Sequence, residues 1–247
     1  MEQGVWATWY DLEENDRKDE FLAWLHGEYL PFLRAKAGYV WVAHYENDGG
    51  GDAIRHLRDN VMARPQEDVG AGSQYLLLVG AETPRVFLDP STPDPAIGGT
   101  GPFDDMLGLR RGVRPSLFLE EARVTGPTPR DPRHGLTAAP AIQMGSLRMR
   151  TLEEEIDIGR WYEQLRLPDM TRTPGCIAAR KYVSIAGWAK HAILYEFATL
   201  ADRLRHFEEA QEAKAMDPTH WTWRIARTTV HAPGSPTVGR RIWPPID

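Results

Sequence analysis

The sequence predicts an α+β chain in which one unit is written twice, and three observations carry that reading. Trp24 and Trp161, Leu30 and Leu167, Pro31 and Pro168, Gly38 and Gly175, and Tyr45 and Tyr182 are each separated by the same 137 positions (161 − 24 = 137). Around these pairs the order of parts is also the same: a helical stretch, Leu-Pro, a short basic connector, a glycine and an apolar run ending in Tyr. Finally, the remaining apolar runs have strand length and are bounded by Gly- and Pro-rich segments, as expected of a sheet protein.

Taken in order, Val5 to Leu12 alternates and is rich in aromatic residues, which suits a half-buried first strand. A helix follows from about Arg17 towards Leu33, N-capped by Asp16, with Phe21, Trp24 and Leu25 on its apolar stripe. Proline lacks the N–H that a helix interior needs, so Leu30-Pro31 is expected to bend or end it. Tyr39 to Glu46 forms the second strand. The stretch Asn47 to Gly72 has no counterpart in the second copy. Its short helix, Ala53 to Ala63, reads as a lid, which suggests that the first copy keeps a ligand gate. Gln74 to Ala81 is the third strand, Pro84 to Pro102 is irregular, Phe103 to Arg111 is a short helix, and Ser116 to Val124 is the fourth strand. The second copy reads as strand Ala141 to Met149, helix Glu153 to Leu167, strands Ile177 to Ser184 and Lys190 to Thr199, helix Leu200 to Met216 and strand Trp221 to His231. The resulting organisation is a first unit at 1–126, a linker at 127–139, a second unit at 140–232 and an extended C-terminal tail at 233–247.

The pattern W-Y-x-x-x-x-L-P at Trp161 to Pro168, followed by Pro174-Gly175 and a strand, resembles the dimeric α+β barrel superfamily, particularly its EthD-like branch. The resemblance implies two ferredoxin-like β-α-β-β-α-β units whose sheets meet face to face in a barrel, here supplied by one chain. That branch often carries a histidine immediately before the Leu-Pro, where this chain has Tyr29 and Arg166.

Composition narrows the function. A net charge of −6 without a basic stripe argues against nucleic acid as a partner. The single cysteine, Cys176, excludes an intrachain disulfide and cannot by itself make a cysteine zinc site. The acidic N-terminal stretch and the lack of a long apolar run point to a cytoplasmic protein with no membrane partner. No histidines stand at short metal-ligand spacing, so neither a metal nor another cofactor is expected. Nine Trp and eight Tyr suit a pocket for a small aromatic or hydrophobic substrate. A homodimer is compatible with this reading.

Catalytic candidates are His26, His44, Tyr10 and Tyr29, because an imidazole near neutral pKa moves protons and a phenol supports that movement. Glu46 and Asp11 stand beside them as orienting carboxylates. Substrate-binding candidates are Trp41 and Tyr45 on the barrel face of the second strand, with Arg180, Tyr195 and His191 in the second copy. Arginine pairs with a carboxylate or phenolate and tyrosine donates to an oxyanion. Arg166 belongs to the same second-copy group. The resemblance implies a cofactor-independent enzyme acting by proton transfer on a small aromatic or polyketide-like metabolite, as a lyase, isomerase or cyclase. The alternatives are a monooxygenase, cofactor-free or haem-linked, and a non-catalytic small-ligand-binding barrel.

Overall fold

The computed structural model describes residues 3–15, 17–89 and 103–246. Strand β1 (Gly4–Leu12) leads into helix α1, which runs as Arg17–Trp24, a π-helical turn at Leu25–Tyr29, and Leu30–Arg34. Strand β2 (Tyr39–Asn47), helix α2 (Asp52–Asn60), strand β3 (Tyr75–Ala81), the single turn α3 (Asp104–Leu107) and strand β4 (Arg110–Thr125) complete the first half. The second half begins with β5 (Ala141–Arg148) and α4, which runs as Leu152–Trp161, a π-turn at Tyr162–Arg166, and Leu167–Met170. It continues with β6 (Cys176–Ala186), β7 (His191–Phe197) and α5, made of Leu200–Arg203, a π-turn at Leu204–Glu208, and Glu209–Met216. Helix α6 (Trp221–Thr228) and strands β8 (Val230–His231) and β9 (Thr237–Trp243) close the chain. The expected cap Asp16 and most of the Pro/Gly stretch ending at Pro102 lie outside the described residues.

Leu-Pro does not end either helix. A proline in a helix cannot donate to the carbonyl four residues back, and in both helices a π-turn placed just before it absorbs the mismatch. The helix then continues for one more turn. Gly38 and Gly175 reverse the chain into the next strand with φ of +81° and +79°, a conformation glycine adopts without strain.

Strand order in the first half is β4-β1-β3-β2, and in the second it is β9-β5-β7-β6. Pairing of β2 with β9 and of β4 with β6 joins the two sheets. The result is an eight-stranded antiparallel barrel without open edges.

Alternation then sorts the side chains. Val5, Ala7, Trp9, Trp41, Ala43, Tyr45, Leu78, Phe118, Tyr182 and Leu194 face inward as one buried cluster. These side chains fill the barrel rather than wall a hollow. Gly80 is needed beside Trp41, since a Cβ there would fall 2.2 Å from the indole. Outside, Phe21, Leu25 and Leu30 of α1 cover the first sheet, while Ile158, Trp161, Phe207 and Ile225 of α4, α5 and α6 cover the second.

Two elements differ from the sequence reading. Trp221 to Thr228 alternates with strand-favouring residues, yet it folds as a helix that buries Thr222 and Ile225 and is capped by the His220 ring, which accepts from Thr222 N at 3.1 Å. The fourth strand of the second half is instead β9, within the expected tail. Its Tyr45-facing Gly239 lets it lie between β2 and β5.

The insertion also goes elsewhere than expected. Helix α2 packs Ile54 and Leu57 against Ala215 and Val238, so it covers the second half rather than gating the first. Its N-terminus is held by Glu208, whose carboxylate accepts from Gly51 N at 3.1 Å and Ile54 N at 3.0 Å. An anion placed there complements the helix dipole.

Candidate active site

In the layer between α1 and the first sheet, three of the expected residues meet in a line. Tyr10 projects from the helix-facing side of β1 and His44 from the same side of β2. The phenol oxygen of Tyr10 lies 2.7 Å from His44 Nε2, and His44 Nδ1 lies 2.8 Å from His26 Nε2. His26 sits in the π-turn of α1, where the widened turn re-aims a side chain. Tyr75 of the intervening strand packs against both inner rings, with centroids 5.5 Å from Tyr10 and 5.2 Å from His44.

Burial sets the charge state of this chain. His44 has no exposed surface, and burial, reinforced by neighbouring His26, drives its pKa well below the ordinary imidazole value. Half-buried His26 is lowered for the same first reason. Burial pushes the Tyr10 phenol far upward, against the pull of Arg110. All three groups are therefore neutral near pH 7.

A neutral chain has two hydrogen-bond polarities. With Tyr10 donating to His44 and His44 to His26, the outer nitrogen of His26 carries a proton. With both bonds reversed, that nitrogen is bare. His26 is thus able to give or take a proton at its outer edge, its tautomer coupled to the direction of the two buried hydrogen bonds. Its Nδ1 has no hydrogen-bond partner among the described residues.

Tyr29 belongs to the same layer but not to the line. It is buried against Trp24 and Phe103, with ring centroids at 5.2 and 5.3 Å. Asp11 accepts from Ser73 N and Gln74 N, and Glu46 pairs with Arg240 at 2.7 Å, so neither carboxylate orients the imidazoles.

The second-copy candidates separate. Arg180 points into the barrel, paired with Glu196 at 2.7 Å and lying 5.8 Å from the Trp41 ring. Arg130 and Ala139 N complete the partners of Glu196 at 2.7 Å each. Tyr45 donates to Ala139 O at 2.9 Å inside the same barrel. His191 bonds Glu155 at 2.5 Å. Tyr195 faces the helices, where it packs at a tilt against Phe207 and lines an apolar cavity of about 100 Å³ together with Trp161, Tyr162 and Arg166. Buried His231 also lines it, its pKa lowered by burial to about 3. Periodicity did not single out this cavity, because its wall includes the inserted helix α2.

No model of a protein family and no curated protein matches the sequence. Solved structures match nearly the whole chain. A dye-decolorizing peroxidase from Bacteroides thetaiotaomicron is 8% identical over 98% of this chain and 93% of its own, with a TM-score of 0.54. An anthrone oxidase-like protein is 10% identical over 98% and 91%, with a TM-score of 0.53. A Fusobacterium nucleatum protein provisionally named a monooxygenase is 5% identical over 97% and 93%, with a TM-score of 0.52. The fold is the dimeric α+β barrel. At such identities the likeness is one of fold, and among the described residues no helix is long and apolar enough to cross a membrane.

These names correct the expected reaction class. They are oxidative, and they displace the lyase, isomerase or cyclase reading in favour of the monooxygenase alternative. The physical reason is plain: the imidazoles and phenols that suggested proton transfer serve oxidation equally, so the side chains alone did not separate the two.

Haem-linked chemistry is the version of that alternative with the largest spatial demand. The cavity under α4 to α6, at about 100 Å³, is far smaller than the roughly 300–1,000 Å³ of ligand pockets, and a tetrapyrrole needs the upper part of that range. A larger cleft of about 740 Å³ beside Trp188 has the volume, but its walls include Arg64, Glu67, Arg148, Glu155 and Lys190 and, among the described residues, present no imidazole, thiolate or phenol to iron. The residues present do not fit a haem at either place.

Proposed function

We propose that this protein is a cofactor-free oxygenase of a small, electron-rich aromatic or polyketide-like metabolite, with His26 as its catalytic base. The Tyr10–His44–His26 chain is the observation that carries this reading, because it couples two buried groups to an outer nitrogen of His26 that has no hydrogen-bond partner among the described residues. A phenol or an activated methylene gives up a proton to His26 Nδ1, and the resulting anion is rich enough in electrons to reduce dioxygen. The balance is the same for both: two hydrogens leave (both from the methylene, or the O–H and the para C–H of the phenol), one oxygen atom becomes the new carbonyl, and the other departs with the hydrogens as water. His44 and Tyr10 act through His26 as positioning residues.

Oxygen uptake with a panel of anthrones and electron-rich phenols tests the reading. Turnover that falls about 10²–10⁴-fold in His26→Ala supports it. No uptake with any member of the panel, or unchanged turnover in both His26→Ala and His44→Ala, overturns it.

The matched π-turns, the matched left-handed glycines and the repeated strand order support reading the two halves as a tandem duplication. The Leu-Pro and Pro-Gly pattern supports placement near the EthD-like branch. Exposed Leu152 and Ile156, one turn apart on α4, support self-association as a homodimer.

A further inference from the structure

Two of the large buried arginines have carboxylate partners. Arg203 bonds Gln143 Oε1 through Nε at 2.9 Å and Nη2 at 2.6 Å and pairs with Glu208. Arg180 pairs with Glu196. Arg166 is different: it is 6% exposed, and among the described residues it has no ion-pair partner and its Nε and Nη1 have no hydrogen-bond partner. Burying donors of a charged group without an acceptor is costly, so something must compensate.

Part of the compensation is aromatic. The Arg166 guanidinium lies 4.5 Å from the Trp161 ring, 5.4 Å from Phe207 and 6.0 Å from Tyr195. Ring faces stabilise a cation without using its N–H groups, which leaves the donor edge open. Arg166 lines the cavity of about 100 Å³, whose other walls are mainly aliphatic and aromatic. A cavity of about 150 Å³ holds benzene, and one water occupies about 30 Å³, so this space suits an anion of only a few heavy atoms.

We propose that the cavity is a binding site for a short-chain carboxylate, with the anion on the Arg166 edge and the alkyl tail among Ile158, Ile193 and Ile225. Tyr162 and Tyr195 line the same cavity. A carboxylate matches the planar fork of guanidinium donors, and the apolar walls favour an organic anion over a strongly hydrated inorganic one. Helix α2 forms one wall through Ile54 and Leu57, so the inserted segment of the first half completes a site in the second. The site is independent of the imidazole chain.

Thermal unfolding of the whole protein with propionate and with its neutral isostere propionamide tests the assignment. A ligand that binds only the folded state raises Tm in a saturable way. Propionate is expected to bind at least about tenfold more tightly than propionamide. Arg166→Met is expected to lose the propionate response while keeping or raising the Tm of the unliganded protein, which a merely structural arginine would not do. Equal responses to propionate and propionamide, or a saturable propionate response retained in Arg166→Met, would overturn the proposal. If Arg166→Met does not fold, a crystal structure of the unmodified protein grown with butyrate decides. A carboxylate on Arg166 supports the site, and butyrate elsewhere or absent rejects it.

Discussion

The layers under the helices of the two halves have the same frame and opposite chemistry. Each has a helix widened by a π-turn before Leu-Pro and a second strand that presents alternate residues to it. Stepping 137 positions along the chain takes His44 to Lys181 (181 − 44 = 137), His26 to Glu163 (163 − 26 = 137) and Tyr29 to Arg166 (166 − 29 = 137). The first layer holds neutral imidazoles bonded in a line. The second holds cations, one paired with Glu121 and one, Arg166, beside a cavity. The difference teaches that the frame fixes where a side chain points, while charge and neighbours decide whether it handles protons or anions.

Four experiments break or sharpen this comparison. The largest expected effect is on turnover: His26→Ala removes the proposed base and lowers kcat by about 10²–10⁴-fold, measured by oxygen uptake. His44→Gln, acting through His26, is expected to move the pH profile and to lower kcat by less. Next, Glu208→Ala strips Arg203 and the N-terminus of α2 of their shared acceptor. It is expected to destabilise the fold by about 3–5 kcal/mol, read from chemical denaturation.

Acid comes third. His44, His26 and His231 all have pKa values lowered by burial, so the unfolded chain binds more protons than the native one below the ordinary imidazole value near 6.5. Stability is full above about pH 6.5 and falls as the pH drops towards the native values, about 3 for His231. His231→Leu should flatten that fall, and denaturation midpoints from pH 7.5 to 4 measure it. The smallest expected effect is that of Arg166→Met, which is expected to leave stability unchanged or raise it by about 1 kcal/mol, the opposite sign to the loss at Glu208.

Much of the fold was legible because repetition amplified it. A pair such as Gly38 and Gly175 marks a left-handed turn twice, and the apolar runs of β2, β3, β5 and β7 have the length and composition of strands. Trp221 to Thr228 reads as a strand because its β-favouring residues obscure helical spacing, and β9 reads as an extended tail because Gly239, Arg240 and Arg241 interrupt its apolar pattern. Of the candidate site, His26, His44 and Tyr10 were legible as residue types. Their contact was not, since 18 and 34 residues separate the bonded pairs.

By itself, then, the sequence determined the turns and the two faces of most strands, because proline, glycine and period-two alternation act within a few residues. Only the tertiary structure decided that the C-terminal strand closes the barrel, that the insertion of one half walls a cavity in the other, and that Arg166 has no carboxylate partner among the described residues while Arg180 and Arg203 do. Those outcomes depend on which distant backbone and carboxylate each segment meets, and chain spacing does not encode that encounter.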